Sequence, residues 1–510
     1  MILGENINFM KKQRKSYITN LVLFCALVLA TISTAQAAMF TVNSDGDMHD
    51  KTPGDGICAA TFPVCTLRAA IEEANALPGH DTIEFSPGFH TPNQPRTITL
   101  SLRELFVNSG LTINGPGARQ LAVDGAQKDR VMQFFTQFGN QPNIVAISGL
   151  TIQNGLPNPQ FSYSVGGGIY IYNTNLTLKA VTVRNNKTNW TANNQPGNGD
   201  GGGIYSFMSQ MTISDSTIRD NYSDNRGGGI FSRGGGLFVY NTTISGNTGW
   251  KGGGGIAQTD SGVIRNSTIT KNQGYHDAGG GIWFINSDEQ NRYNYVGNTI
   301  VAKNGAAVSW DLYGSFTSLG NNLVGYRGGS TGYVASDLPE YLDPKLSTLK
   351  NNGGQTDTHK LLEGSPAIDA GDDCITLGEP CIAIFQYDQR GFGFTRKYGS
   401  AVDIGAVEYE PVIFYPLPVV IGGKLFRANE RGVSRAIVTL VERDGTTRSV
   451  ETDEQGRYKF ENVETGKAYA IRVENSEYSY EARTVLVTQA RNDVNFVPAE
   501  EENWLKNPQK

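Results

Sequence analysis

The sequence predicts an all-β protein, a parallel β-helix followed by a small antiparallel β-sandwich. Three observations predict it. A glycine run leading into isoleucine recurs, with the isoleucine at 169, 204, 230, 256 and 282. An asparagine closes a short apolar run at 186, 221, 247, 272 and 304. Between these landmarks lies another alternating run, "NLTL", "QMTI", "GLFV", "GVI" and "NYV", so each repeat holds three short strands.

The repeat dictates the architecture. Three residues before each asparagine stands a branched apolar side chain: Val183, Ile218, Ile244, Ile269 and Val301. Five before it come Val181, Ser216, Thr242, Ser267 and Thr299, which are mostly small. That alternation gives an inward column with small neighbours. A unit this short cannot bury its apolar face alone, but stacked units can, rising about 4.8 Å per coil. A β-propeller blade needs roughly 40–45 residues, too many for this period. Nonapeptide calcium repeats have a shorter glycine period and aspartates that are missing here. Glycine suits a corner that stacks backbone on backbone. The asparagines suit a side-chain amide ladder, or a turn that tolerates the left-handed conformation.

Residues 1–37 read as a secretory signal peptide. Lys11, Lys12, Arg14 and Lys15 precede an apolar run over 21–30, and Ala35-Gln36-Ala37 supplies the small-residue cleavage pattern. The apolar run is short for a membrane span, so no transmembrane anchor is expected after cleavage. Losing four basic residues and Glu5 takes the formal net charge from −6 to −9, and nucleic acid is not an expected partner. Four cysteines remain, and three connectivities are open to them. Matched spacing and an oxidising destination favour Cys58 with Cys65 and Cys374 with Cys381. Metal binding is the alternative, with no histidine in ligand-like spacing to them.

Residues 38–80 hold the first cysteine pair and an amphipathic helix over 66–77, with Leu67, Ala70, Ile71, Ala74 and Leu77 on one face. A capping helix over the exposed end of a solenoid is the expectation. The β-helix proper spans 81–318. Residues 319–410 form its C-terminal part and 411–418 ("PVIFYPLP") a stiff linker. Residues 419–498 alternate strongly, with turns at Asp444-Gly445, Gln455-Gly456 and Thr465-Gly466, and predict the sandwich. The tail 499–510 reads as solvated.

The stretch "FTVNSDGD…GICAATFPVCTLRAAIEEAN" resembles the N-terminal segment of CSLREA-type proteins, departing from the motif at Thr66 and Ala69. Residues 320–408, "GNNLVG…NNGGQTDTHKLLEGSPAIDAG…QRGFGFTR…AVDIGAVE", resemble the choice-of-anchor Q domain. That resemblance implies a right-handed parallel β-helix, closed by this domain, in a secreted or cell-surface protein. The Gly-Gly-Gly-Ile repeats are similar to those of polymorphic outer-membrane adhesins, without the adhesins' phenylalanine. "TDEQGRYKFENVETGKAYAIRV" resembles carboxypeptidase-regulatory-like and Cna-B-type domains. Some Cna-B-type domains carry a Lys–Asn isopeptide bond, which makes Lys424 and Asn495 the pair to test against an ordinary surface role.

Function lies in sites and not in the fold. The residue after each landmark isoleucine is Tyr170, Tyr205, Phe231, Ala257 or Trp283. If the isoleucines point inward, Tyr170, Tyr205, Phe231 and Trp283 point outward and form a stacking strip for sugar rings. A covered hydrophobic face is the bland alternative. Extracellular polysaccharide or a cell-surface component is therefore the expected partner, in binding or adhesion. The competing expectation is a pectate-lyase-like polysaccharide lyase or a hydrolase. Its candidates are Asp200 and Arg226 in one column, with Asp215, Asp220, Asp224, Arg219 and Arg233 nearby. No column holds several acids, and an ion-pair ladder explains them equally well, so no catalytic residue is assigned. No cofactor is expected. Closely spaced Asp369, Asp372 and Asp373 in a glycine-rich loop suit calcium, although their spacing matches no calcium loop and turn capping and disulfide placement explain them equally well. His359 reads as structural.

Overall fold

The computed structural model describes residues 37–498 except 62, 90–93, 159, 161–162, 190–198, 277–278, 286–292, 375–384, 412–417, 428–430 and 443–444. The leader before Ala37, most of the linker, Cys381 and the tail lie outside the described residues. The chain divides into two units, Met1–Tyr409 and Glu410–Lys510.

The first unit is a stack of parallel coils. One coil runs through Ile204–Phe207 in a first sheet, Met211–Ser214 in a second and Thr217–Arg219 in a third. The three sheets hold nine, ten and nine strands, each paired in parallel with its equivalents one coil away. Register is maintained between coils: Ile169 lies opposite Ile204, then Ile230, Ile256, Ile282 and Leu312. All six are fully buried, as are Val183, Ile218, Ile244, Ile269 and Val301 on the third sheet. Both predicted columns therefore face one continuous core.

Two devices at the turns hold that register. The first is glycine. Gly227 takes φ +67°, and a Cβ on Gly228 would lie 2.3 Å from the carbonyl carbon of Thr248. The corner is close-packed backbone, which only glycine permits. The second is the asparagine ladder. Asn186 donates through Nδ2 to Oδ1 of Asn221, Asn221 to Asn247, Asn247 to Asn272 and Asn272 to Asn304, at 2.9–3.0 Å. Each also donates to a backbone carbonyl of a neighbouring coil, as Asn247 does to Ile218. The last rung is Asp311, whose Oδ1 accepts from Asn304 Nδ2 while Oδ2 accepts from Tyr326 N. A carboxylate suits that end, where acceptors alone are needed. The left-handed residue is not the ladder asparagine but the one before it: Asn185, Asp220, Gly246, Lys271 and Lys303.

The helix spans Leu67–Ala76, with Thr66 as N-cap accepting from Ala69 N through its hydroxyl. Leu67, Ala70, Ile71 and Ala74 join the β-helix core, so the helix covers its N-terminal end. Cys58 and Cys65 are disulfide-bonded just before it. Cys374 is also disulfide-bonded; its expected partner, Cys381, lies outside the described residues.

The last described parallel strand is Ser330–Thr331. The following chain to Tyr409 has no regular strand among its described residues. It returns along the outer face of the third sheet as a strap. Thr217 and Thr243 donate to Asp357 O and to Gln389 Oε1, and Ala406 N donates to the Thr268 hydroxyl. Leu361, Ala367 and Ile404 pack on Ile300, Ala302 and Leu323. This segment thus covers a side of the β-helix as well as following its last coil. His359 pins it: Nδ1 donates to Ser347 O at 2.7 Å and Nε2 accepts from the Ser245 hydroxyl at 2.9 Å. Because a carbonyl only accepts, the proton sits on Nδ1. Burial first, then Lys271, lowers the His359 pKa to about 4.

The second unit is antiparallel. Thr447–Glu451, Ile437–Val441, Ala468–Glu474 and Arg483–Leu486 form one sheet in that order, and Val419–Lys424 pairs with Arg457–Val463 in another. Ile421, Tyr458 and Phe460 of the smaller sheet share one core with Val438, Leu440, Tyr469 and Ile471 of the larger.

Two outcomes follow. Asn247→Ala removes one hydrogen bond each from Asn221 N, Asn221 Nδ2, Asn272 Oδ1 and Ile218 O and should cost about 2–4 kcal/mol. Urea unfolding checks this; a cost near zero would show that the ladder is passive. A histidine with a depressed folded pKa contributes stability that is complete above the unfolded value and lost as pH falls from about 6.5 toward about 4. The stability difference between wild type and His359→Gln, measured by urea unfolding, should therefore shrink from pH 7 to pH 5. A constant difference would place His359 outside the linkage.

Candidate functional site

The first sheet exposes two outward positions per strand, because inward isoleucines force alternate residues out. The predicted column lies in register: Tyr170 opposite Tyr205, Tyr205 opposite Phe231, Phe231 opposite Ala257 and Ala257 opposite Trp283. The rings of Tyr170 and Tyr205 lie 5.7 Å apart, and those of Tyr205 and Phe231 stack at 5.4 Å. Ala257 separates Phe231 from Trp283.

Arginines roof this column. The Arg130 guanidinium lies 5.0 Å from the Tyr170 ring centre, and that of Arg226 4.7 Å from Phe231. Arg130 is anchored by Glu104 and by the carbonyls of Tyr163, Val165 and Gly166. Arg226 forks onto buried Asp200, with Nε at 3.1 Å and Nη2 at 2.7 Å. Burial raises the Asp200 pKa against the pull of Arg226. Phe231 is 0% and Tyr170 9% exposed, so a sugar approaching this column meets Tyr205 and Trp283, which are half-buried. Asp200 and Arg226 do share a column, as an ion pair spent on covering aromatic surface.

Two further aromatic groups were not expected from the sequence. Two residues beyond the predicted column, Phe135, Tyr172 and Phe207 line the other outward position, and Phe106, which stands in the predicted column opposite Gln133, leans its ring onto Phe135. Their successive ring distances are 6.3, 5.1 and 5.7 Å, and Arg233 lies over Phe207. These rings are half-buried, except Phe106, which is 40% exposed. The motifs "IYIY" and "IYSF" carry that signal.

The second group is more open. It stands on the turns leading from the third sheet back to the first, in four consecutive coils. Trp250 meets Tyr275 at 5.2 Å and His276 at 4.8 Å. Trp310 meets Tyr326 at 5.4 Å, and Tyr326 meets Tyr341 at 6.1 Å. Trp250, Tyr275, Trp310 and Tyr341 are 43%, 51%, 55% and 71% exposed. Trp250 and Tyr275 each fall three residues after a ladder asparagine. Trp310 and Tyr326 break that spacing, which hides the series in the sequence.

The acidic candidates are dispersed. Asp220 pairs with Arg219 at 2.5 Å. Burial pushes Asp215 up to about 6, with Lys179 opposing. Asp369, Asp372 and Asp373 each accept a backbone N–H, from Ala401, Cys374 and Val402. Among the described residues no group of three or more His, Cys, Asp or Glu side chains is placed to hold a metal ion, and no helix is long and apolar enough to cross a membrane. In the second unit, exposed Asn495 accepts from the Lys424 backbone N at 2.8 Å, while the Lys424 ammonium lies 5.0 Å from the Phe426 ring centre.

A 49-residue segment is 45% identical to a protein named fibrinogen-binding protein from Staphylococcus epidermidis. The matched segment is 10% of this chain and 4% of that protein. Residues 138–324 match a family model described as a right handed beta helix region. That span contains the coils whose columns, glycine corners and amide ladder are described above, and the architecture and the match agree: the first unit is built as a right-handed parallel β-helix.

Proposed function

We propose that this protein works at an extracellular surface and binds polysaccharide, with an extended glycan lying along the β-helix axis on the rings of Trp250, Tyr275, Trp310 and Tyr326. The observation that carries the reading is a large aromatic ring on the same turn of four consecutive coils, exposed at Trp250, Tyr275 and Trp310 and half-buried at Tyr326. Sugar rings present C–H faces that pack on aromatic faces, and a repeating ligand matches a repeating track. Buried aromatics give core stability, but exposed ones in a contiguous group mark an interaction surface. The half-buried Phe135, Tyr172 and Phe207 ladder adds a second platform of the same kind. The roofed Tyr170–Phe231 column belongs to stability, leaving Tyr205 and Trp283 as its contribution to binding.

Four further observations support a surface role. A disulfide suits an oxidising compartment. The leader reads as a secretory signal. The partial relative from Staphylococcus epidermidis is named for binding fibrinogen, and the CSLREA-type and choice-of-anchor Q resemblances point to secreted or surface proteins. A Cna-B-type second unit would fit the same setting.

Retention on immobilised neutral and acidic polysaccharides, with reducing-end and unsaturated-product assays alongside, tests this. Wild type should be retained without turnover. Trp250→Ala with Tyr275→Ala should weaken retention by about tenfold, the loss of two stacked rings, with an unchanged thermal transition. Equal retention of both proteins, or retention on none, would overturn the reading. Turnover would make the protein an enzyme.

A further inference from the structure

The strap leaves part of the third sheet uncovered. An outward column on that sheet runs Thr97, Ala122, Thr151, Thr182, Thr217, Thr243 and Thr268. From Thr217 onward the strap occupies it, through Asp357, Gln389 and Ala406. Before Thr217 the column opens into a cleft of about 320 Å³, closed at one end by Gln355 and Asp357 of the strap. Small-ligand sites begin at about this size.

Arginines dominate its charge. Arg96 is paired with Asp45 at 2.9 Å, and Arg119 with Asp357 at 2.6 Å. Arg184 is not paired: among the described residues its hydrogen bond is from Nε to Gln153 Oε1, at 2.9 Å. Gln153 in turn donates to Asp124 at 2.8 Å, so the hydrogen-bonded link from Arg184 to a carboxylate runs through an amide. Burial first, then Arg219, lowers the Arg184 pKa against the pull of Asp357, Asp124 and Asp220, none of which forms an ion pair with it. The Thr182 hydroxyl has no hydrogen bond to the described residues. Pro95, Leu121 and Ala122 supply apolar surface in the same cleft.

We propose that this cleft binds one acidic sugar unit of a polysaccharide, its carboxylate or sulfate seated on Arg184. Guanidinium matches either oxyanion in a forked geometry. Thr182 and Gln355 serve sugar hydroxyls, and Leu121 with Ala122 receives a C–H face. The inference rests on the polysaccharide reading but uses a different face from the aromatic turns, so the two separate experimentally.

Calorimetric titration of the full chain tests it with three probes: an oligogalacturonate, a sulfated chondroitin oligosaccharide and a neutral xylo-oligosaccharide. Wild type should bind at least one acidic probe more tightly than the neutral one. Arg184→Gln should weaken that probe by about 10–100-fold, the loss of a charge-assisted contact, and leave the neutral probe unchanged. Thr182→Val gives a smaller loss and guards against misfolding of the arginine variant. Trp250→Ala should weaken the neutral probe and leave the acidic preference in place. Carboxylate and sulfate arms distinguish the two oxyanions. No preference for either acidic probe, or an acidic preference untouched by Arg184→Gln, overturns the cleft while neutral binding keeps the polysaccharide reading. Loss of all binding to wild type overturns both. Displacement by an acidic peptide with no sugar competition would assign the cleft to protein.

Discussion

The amide ladder and glycine corners fix the stacking of the β-helix, and every outward feature depends on that stacking. A β-strand has no intrinsic reason to keep register with its neighbour one coil away. Here Asn221, Asn247 and Asn272 each accept from one coil and donate to the next, deep enough that an unmet amide is costly. The glycines forbid a shift by closing the backbone gap at the corner. Inward isoleucines and outward aromatics then repeat at the strand spacing without further specification.

A solenoid of this kind must cover or expose each long face, and this one treats its faces differently. The third sheet is roofed by a non-repeating strap, tied down through threonine hydroxyls, Gln389 and His359. The predicted column of the first sheet is roofed by arginines, each anchored to a buried acid. These ion pairs do more than neutralise charge, because the guanidinium lies on the ring it protects. The turns between third and first sheet are roofed by nothing described, and there the rings reach solvent. Both proposed binding sites lie where the covering stops, at the aromatic turns and at the open end of the threonine column.

The repeating part of this design was legible in the sequence, because periodicity reports what recurs. The isoleucine and asparagine columns, three strands per repeat and the capping helix could all be read before any coordinates. Burial of Phe231 could not, since its cover comes from Arg226, set by Asp200 one coil earlier, and not from the strand itself. Of the two roles the asparagines suit in the sequence, the ladder is the one they fill; the left-handed position is the residue before, which lysines and an aspartate also occupy, so composition does not reveal it. The open track was hidden for a related reason. Trp250 and Tyr275 keep step with the ladder, but Trp310 and Tyr326 sit in turns of other lengths, so only the fold shows that all four stand on the same side of successive coils. Arg184 stood out by nothing in sequence. Its distinction is the absence of an ion-pair partner, which is a property of packing.

The central claim is that a periodic protein surface binds a periodic ligand along its axis. Calorimetric titration with a size series of one retained glycan, from disaccharide upward, tests this most directly. The account predicts that affinity rises with each added sugar until the chain spans the rings from Trp250 to Tyr326 and then levels off. Affinity independent of length from the disaccharide onward would contradict it, because the glycan would then occupy a single local pocket and the repeat would serve stability alone.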